Sequence, residues 1–237
     1  GWYMYNHTSA QELPRKIFYI VNQLNAGMSR LQEEQERREL ILLNLQAGKR
    51  AKEASAYHSS LLYFQRAISL LSTQSWKTDY ELSLELYTEA ARAAYLNASF
   101  PEMEEYIGKI RGNASSILDS IEAYEIEIQG CLARGRIQDG VETTYRVLAN
   151  LGVRLPGRVS GPRVAWELFI TQQALRDKTD QELLDQPGMK SPYYRAAVRI
   201  ATSSLLAFYI GGYSRETSIL VFRMIRLYVR HGVCAQT

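Results

Sequence analysis

The chain has 237 residues, of which 46% are hydrophobic and 22% charged, and its formal net charge is +3. This composition is ordinary for a globular protein that buries a sizeable core, in one large domain or two small ones. The small positive charge argues against a nucleic-acid-binding protein, which usually carries a strongly basic face. The longest nearly uncharged stretch, residues 200–213, is shorter than the roughly 20 residues that a membrane-spanning helix needs.

Nearly the whole sequence is typical of α-helix, since it has six prolines and no sustained alternation of polar and apolar residues. Capping boxes and a first-turn proline mark several helix starts. These starts are Ser29/Gln32, Thr78/Glu81, Thr179/Glu182 and Ser191-Pro192. In chain order, the predicted helices lie near residues 11–25, 30–54, 56–72, 79–97, 101–111, 114–134, 137–151, 162–176, 179–186, 191–210 and 214–231.

The predicted helix 79–97 has two apolar stripes. One stripe contains Tyr80, Leu84, Tyr87, Ala91 and Ala94, and the other contains Leu82, Leu86, Ala90 and Ala93. A surface helix of a simple bundle needs one such stripe. Two stripes indicate a helix that packs against neighbours on two sides, as in a stack of helices.

A small residue recurs at the corners between predicted helices. Ala98 follows Ser55 by 43 residues, Gly135 follows Ala98 by 37, and Gly212 follows Gly135 by 77, about twice that spacing. An intermediate corner is then expected around residues 173–180. A helix–corner–helix unit that recurs every 34 to 45 residues or so indicates an α-solenoid, in which each unit covers the apolar face of the next.

Aligned on these corners, three units share a loose tetratricopeptide pattern. The aligned sets are Gly48, Ala91 and Ile128 where the helices cross; Tyr57, Phe100 and Ile137 at the corner; Ser60, Met103 and Gly140 early in the second helix; and Phe64, Ile107 and Thr144 one turn later. We therefore predict an all-α fold: a right-handed α-solenoid of antiparallel helix pairs with degenerate, tetratricopeptide-like repeats.

Five stretches also resemble one region of a known family. They are "KIFYIVNQLNAG", "ELILLNLQAGKRAKEASAYHSSLLYFQRAISLL", "YELSLELYTEAARAAYLNASFPEMEEYI", "YEIEIQGCLARGRIQDGVETTYRVLANLGVRLP" and "LLDQPGMKSPYYRAAVRI". The region is the helical-repeat part that follows the AAA/STAND-type ATPase module in very large, mostly bacterial signalling kinases. In that family a serine/threonine kinase-like domain precedes the ATPase, and GAF and histidine-kinase modules often follow the repeats.

The resemblance covers the chain from about residue 13 onwards. It carries no catalytic residue, so it implies an architecture and a setting. On this basis we expect a single helical-repeat domain over 1–237, cut from something longer. Residues 1–28 would be a leading helix from the preceding module, 29–152 three helix pairs, 153–161 a linker and 162–237 further pairs.

Sequence motifs that would indicate catalysis, phosphate binding or metal binding are weak. "LQAGKR" at 45–50 has the Gly-Lys of a phosphate loop, but position 43 is Leu, Arg50 follows Lys49, and the context is mid-helix. The histidines His7, His58 and His231 are scattered, without the i, i+4 spacing of a helical zinc site. We expect no catalytic residue, metal site or cofactor in this chain.

The predicted inner groove of the solenoid is the best candidate for binding. The alignment assigns six residues to it: Lys49, Lys52, Thr88, Arg92, Tyr95 and Gln129. A mixed cationic and aromatic groove suits a peptide carboxylate, an acidic helix or a small anion. The alternative is an ordinary solvated face, because long polar side chains line every solenoid groove.

The amphipathic ends "KIFYIVNQL" and "SILVFRMIRLYVRHGV" favour faces that pack against domains outside this chain. Cys131 and Cys234 allow a disulfide without requiring one, and reduced thiols in a cytoplasmic protein are the simpler interpretation. We therefore predict a non-catalytic scaffold that contacts the adjacent ATPase and sensor or kinase modules, or a separate signalling protein. The alternative is an effector-sensing domain that binds a small molecule or peptide in the groove.

Overall fold

The computed structural model describes residues 1–31, 33–157, 159–176 and 178–233, and within these ranges the chain is helical and contains no β-strand. The helices in the first half are α1 Trp2–Asn6, α2 Leu13–Ala26, α3 Glu34–Glu53, α4 Tyr57–Leu70, α5 Ser75–Thr78, α6 Tyr80–Leu96 and α7 Phe100–Asn113. Those in the second half are α8 Ile121–Ala133, α9 Ile137–Asn150, α10 Gly161–Leu175, α11 Asp180–Leu184, α12 Pro192–Ile210 and α13 Ser214–His231. The predicted all-α class is confirmed.

The chain forms two compact units, Gly1–Ala114 and Ser115–Thr237. Each unit has its own buried core, with Phe64 and Leu86 fully buried in the first and Ile200 and Phe208 in the second. The predicted division of a single repeat domain into a leading helix, pairs and linker stays a prediction.

Most helix boundaries agree with the sequence. Thr179 makes the predicted capping box with Glu182, and the Ser191 side chain accepts a hydrogen bond from the Tyr194 N–H at the start of α12. The capping box predicted at Ser29/Gln32 lies partly outside the described residues. The one predicted at Thr78/Glu81 is wrong, because Asp79 is the N-cap residue of α6 and makes no capping bond. Its carboxylate pairs instead with Arg38 on α3.

One predicted helix begins later than expected. The sequence suggests a helix from about residue 114, but a 3-10 turn occupies Leu118–Ser120 and α8 begins at Ile121. The Ser116 N–H donates to the Asp119 carboxylate at 3.0 Å, just as the N-cap N–H of a capping box donates to the third helical residue, so the chain enters α8 through this 3-10 turn. The short helices α1 and α5 were not predicted.

The four predicted corners share one backbone geometry. Ser55, Ala98, Gly135 and Gly212 all have left-handed φ angles, of 58°, 56°, 71° and 75°. In each corner the next residue donates its N–H to the carbonyl five positions back, at 2.8, 2.8, 2.9 and 3.0 Å. This is the hydrogen bond of a Schellman motif, which ends a helix and turns the chain sharply. The recurrence noticed in the sequence is therefore a recurrence of structure.

The corners join helices that contact each other: α3 with α4, α6 with α7, α8 with α9, and α12 with α13. The nine aligned positions at the helix crossing, early in the second helix and one turn later are all buried, whereas the corner residues Tyr57, Phe100 and Ile137 are partly exposed. Near the crossing of α3 and α4, the Ser60 hydroxyl donates to the Gly48 carbonyl at 2.8 Å. In the α8–α9 pair the small residue lies on the second helix, and a Cβ added to Gly140 would be 3.7 Å from the Ile128 carbonyl.

Helix α6 has neighbours on two sides, as its two stripes predict. It contacts α4 and α7. Leu82, Leu86, Ala90 and Ala93 are buried, as are Ala91 and Ala94 of the other stripe.

A buried pair of amides joins α2 to α3. Asn25 and Asn44 each donate a side-chain hydrogen bond to the other at 2.9 Å, and Asn44 also donates to the Leu40 carbonyl. Asn44 is fully buried. The apolar face of "KIFYIVNQL" therefore packs within the first unit, through α2 on α3.

In the second unit, chain order and packing order differ. Helix α12 packs directly against α8 and α9, and α10 packs against α13. The intermediate corner predicted around residues 173–180 therefore does not place a helix pair between α9 and α12. The segment "SILVFRMIRLYVRHGV" likewise packs within this unit, since α13 covers α10 and α12.

Candidate functional site

Five of the six predicted groove residues lie in the first unit, on α3 and α6. Lys49 and Lys52 on α3 form ion pairs with Glu85 and Glu89 on α6. These pairs are partly exposed, so each contributes about 0–1 kcal/mol. Each lysine charge is neutralised by a paired carboxylate, so this surface is less cationic than the sequence alone suggests.

The other groove residues have mixed exposure. Thr88 is buried, and Arg92 and Tyr95 are half-buried on α6. Gln129 is half-buried on α8, in the second unit. The structure thus brings Lys49 and Lys52 to the side of α3 that faces α6, and the groove as a binding site stays a prediction.

A carboxylate of the second unit is held between α8 and α12. The Arg199 side chain contacts both carboxylate oxygens of Glu125, from Nε at 3.3 Å and from Nη2 at 2.5 Å. Ser203 also donates to Glu125, at 3.2 Å. A two-point contact between a guanidinium and a buried carboxylate fixes orientation as well as charge, so this cluster sets how α12 lies on α8.

Glu167 on α10 is the carboxylate of a larger cluster, with 1% of its surface exposed. Arg163 and Arg223 each donate to its Oε1, at 3.1 and 2.9 Å, and Arg226 pairs with its Oε2. Arg226 also donates to the Thr171 hydroxyl at 2.6 Å. Three guanidinium groups thus surround one carboxylate at the contact between α10 and α13.

The electrostatic balance at Glu167 favours the ionised form. Burial alone would raise the pKa of Glu167, but the hydrogen bonds and positive charges of Arg223 and Arg226 together lower it below its ordinary value. The carboxylate therefore stays charged in the folded protein at neutral pH, and it neutralises only part of the charge around it.

Sequence analysis missed this arginine cluster. A signal was present: Arg223, Arg226 and Arg230 are spaced by three and four residues and so share one face of α13. Their partner could not be found in the same way, because Glu167 lies 56 residues before Arg223 in the chain.

The thiol of Cys131 is free and buried. Burial, followed by the charge of Glu127, raises the pKa of the Cys131 thiol, so the reactive thiolate is disfavoured. Cys234 lies outside the described residues. Among the helices of the described residues, none has both the length and the apolar content needed to cross a membrane.

Comparison with known proteins shows a similarity to a signalling protein. No family model matches the chain, and no solved structure matches it. The chain is similar to hybrid signal transduction histidine kinase G of Dictyostelium discoideum, with 25% identity over 148 residues. The match covers 59% of this chain and 4% of that protein, so the chain spans a small part of the relative's length.

Proposed function

We propose that this chain is a non-catalytic, tetratricopeptide-like α-solenoid segment of a multidomain signalling protein. It would connect an ATPase module of the AAA/STAND type to sensor and kinase modules, or to a separate signalling partner. The proposal is for a cytoplasmic protein whose chemistry lies in modules other than this one.

The repeated corner is the observation that carries the proposal. Helix pairs with the same turn geometry at Ser55, Ala98, Gly135 and Gly212 are typical of repeat proteins, in which each pair contacts its neighbours. Stacked pairs present extended surfaces and change curvature through small shifts at each contact. Such a segment suits the transmission of a change between distant modules.

The similarity to a hybrid signal transduction histidine kinase supports the setting. That relative is far longer than this chain, as expected if the matching region is one module among many. The proposed roles of ATPase, serine/threonine kinase and histidine-kinase modules come from the resemblance of the sequence to large signalling kinases.

The proposed contact surface is the predicted groove, with Tyr95 as its test residue. Tyrosine is enriched among residues that dominate protein interfaces. Tyr95 is half-buried on α6, the helix that carries the glutamates of both lysine–glutamate pairs. A partner would displace water from its ring and bury the paired charges at the rim.

To test the proposal, the segment is co-purified with the ATPase module that adjoins it in the parent protein, and ATP turnover is measured with and without it. We expect binding and a change in turnover, both reduced at least about tenfold by Tyr95→Ala. Tyr3→Ala is the matched control, because Tyr3 is an exposed tyrosine of the same unit outside the groove. Absence of both binding and any effect on turnover would reject coupling.

A further inference from the structure

A cavity of about 210 Å³ lies within the second unit, between the end of α9, α12 and α13. Its lining includes four arginines, Arg154, Arg223, Arg226 and Arg230, together with Tyr194 and His231. None of the described residues that line it is acidic. Among the described residues, the carboxylate of Glu167 pairs with two of these arginines, Arg223 and Arg226.

The positive charge at this cavity is not balanced within the described part of the chain. Glu167 carries one negative charge and already binds Arg163 in addition to Arg223 and Arg226. Arg154 and Arg230 are exposed, and the structure shows no hydrogen bond or ion pair for either among the described residues. The Nε atom of Arg223 is buried and also lacks a partner. Several donors and an excess of positive charge therefore remain for a ligand.

The positive charges of neighbouring arginines repel each other. An anion bound among them would replace this repulsion with attraction. Guanidinium groups present planar pairs of N–H donors that match the oxygens of phosphate in two-point contacts. One part of the lining is aromatic, since the rings of Tyr194 and His231 lie 4.3 Å apart, centre to centre. The volume is smaller than the roughly 300–1,000 Å³ of sites for drug-sized ligands, so it suits a compact group.

We infer that this cavity binds a small phosphate-bearing molecule, with Arg154 and Arg230 as the groups that reach it from the rim and Arg223 and Arg226 as the deeper ones. The site shares no residue with the predicted groove, and it does not depend on the proposed coupling role. A bound phosphate would join the end of α9, α12 and α13, and so it would stabilise the second unit.

The test uses pyrophosphate as the probe and the chain 1–237 as the protein. Binding is measured by isothermal titration calorimetry, and the unfolding midpoint is measured with sodium pyrophosphate and with sodium chloride at equal ionic strength. We expect pyrophosphate to raise the midpoint more than chloride does, as selective binding to the folded state requires. An equal shift with both salts would overturn the inference, since it would reflect charge screening alone.

Arg154→Gln and Arg230→Gln identify the site. Each should weaken pyrophosphate binding about tenfold or more, and the double variant should abolish the difference between pyrophosphate and chloride. Arg215→Gln is the matched control, because Arg215 is an exposed arginine near the opposite end of α13. Unchanged binding in the double variant, or equal loss in Arg215→Gln, would overturn the assignment.

A purely structural role for these arginines predicts a different result. Without ligand, Arg154→Gln and Arg230→Gln should leave the unfolding midpoint equal or raise it, because each removes a repulsive charge from the cluster. A lowered midpoint without ligand, with no selective effect of pyrophosphate, would mean that the arginines serve the fold, and the inference would then fail.

Discussion

At the scale of single residues, the corners show how one backbone angle recurs with different side chains. Gly135 and Gly212 reach a left-handed φ at little cost, whereas Ser55 and Ala98 adopt the same region with a Cβ atom. For a residue with a side chain, this conformation costs roughly 1–2 kcal/mol. The first unit therefore holds strain at its corners that the second unit avoids.

Gly135→Ala should lower the free energy of unfolding by about 1 kcal/mol, because a Cβ there meets no atom within 4 Å and the left-handed φ is the sole penalty. Gly108→Ala is the control, since Gly108 is also open but lies within α7. It should stabilise by up to about 1 kcal/mol through helix propensity. Urea titrations measure the change in free energy of unfolding for both variants. Changes of the same sign would contradict this explanation.

At the scale of elements, the α3–α4 pair depends on a close approach at Gly48. A Cβ at this position would lie 2.4 Å from the Phe64 ring, and that ring is fully buried. Such overlap forces a shift of packed atoms, which typically costs about 1–3 kcal/mol. Glycine is therefore required here by its neighbour on α4.

Gly48→Ala should lower the free energy of unfolding by about 1–2 kcal/mol, because overpacking exceeds the gain in helix propensity. Adding Phe64→Leu should relieve the overlap, so the double variant should be less destabilised than the sum of the single variants. Denaturant titration of the four proteins gives the coupling energy, expected to exceed about 0.5 kcal/mol. Strict additivity would show that Phe64 is not the obstacle.

At the scale of the whole molecule, charge clusters tie together elements that are distant in sequence. Glu125 meets Arg199 across 74 residues, and Glu167 meets Arg226 across 59. Both clusters lie within the unit Ser115–Thr237. The stability of that unit should therefore respond to acid through particular carboxylates.

Glu167→Gln should lower the free energy of unfolding by about 3 kcal/mol at neutral pH, because it leaves the partly buried guanidinium groups of Arg223 and Arg226 without a counter-charge. The pKa of Glu167 is lowered in the folded state, so its contribution to stability is fully present above the ordinary pKa of a glutamate in the unfolded chain. That contribution is lost as the pH falls through the lower pKa of the folded state. The difference in free energy of unfolding between wild type and variant should therefore become smaller in acid.

Hydrogen exchange of α10 and α13 amides, from about pH 7 downwards, would locate this effect. The exposed Glu142→Gln in the same unit is the control and should change stability by less than about 0.5 kcal/mol. If the stability difference between wild type and Glu167→Gln stayed constant at strongly acidic pH, the charge of Glu167 would not be what stabilises the α10–α13 contact.

The sequence predicted best what is determined locally. Helices α12 and α13 were predicted within a residue or so at each end, and all four corners fell at left-handed residues, because capping, periodicity and turns act over a few positions. The placement of α10 on α13 was missed, since it skips the intervening helices and has no local signature.

The candidate site was less predictable for the same reason. The stripe of Arg223, Arg226 and Arg230 can be found in the sequence, but its pairing with Glu167 and its cavity depend on how α10, α12 and α13 meet. Conversely, Lys49 and Lys52 could be assigned to one face of α3, whereas their partners on α6 needed the fold.

The buried amides of Asn25 and Asn44 have a consequence for how α2 is seated. Each side chain satisfies the other, so sliding α2 by one turn would leave two amide groups among hydrocarbon, at about 1–3 kcal/mol for each unmet bond. Leucines at both positions would pack in many registers of α2 on α3, whereas the hydrogen bonds of this amide pair form in one register. The two polar side chains thus fix the register of α2 on α3, and with it the position at which α2 packs against the rest of its unit.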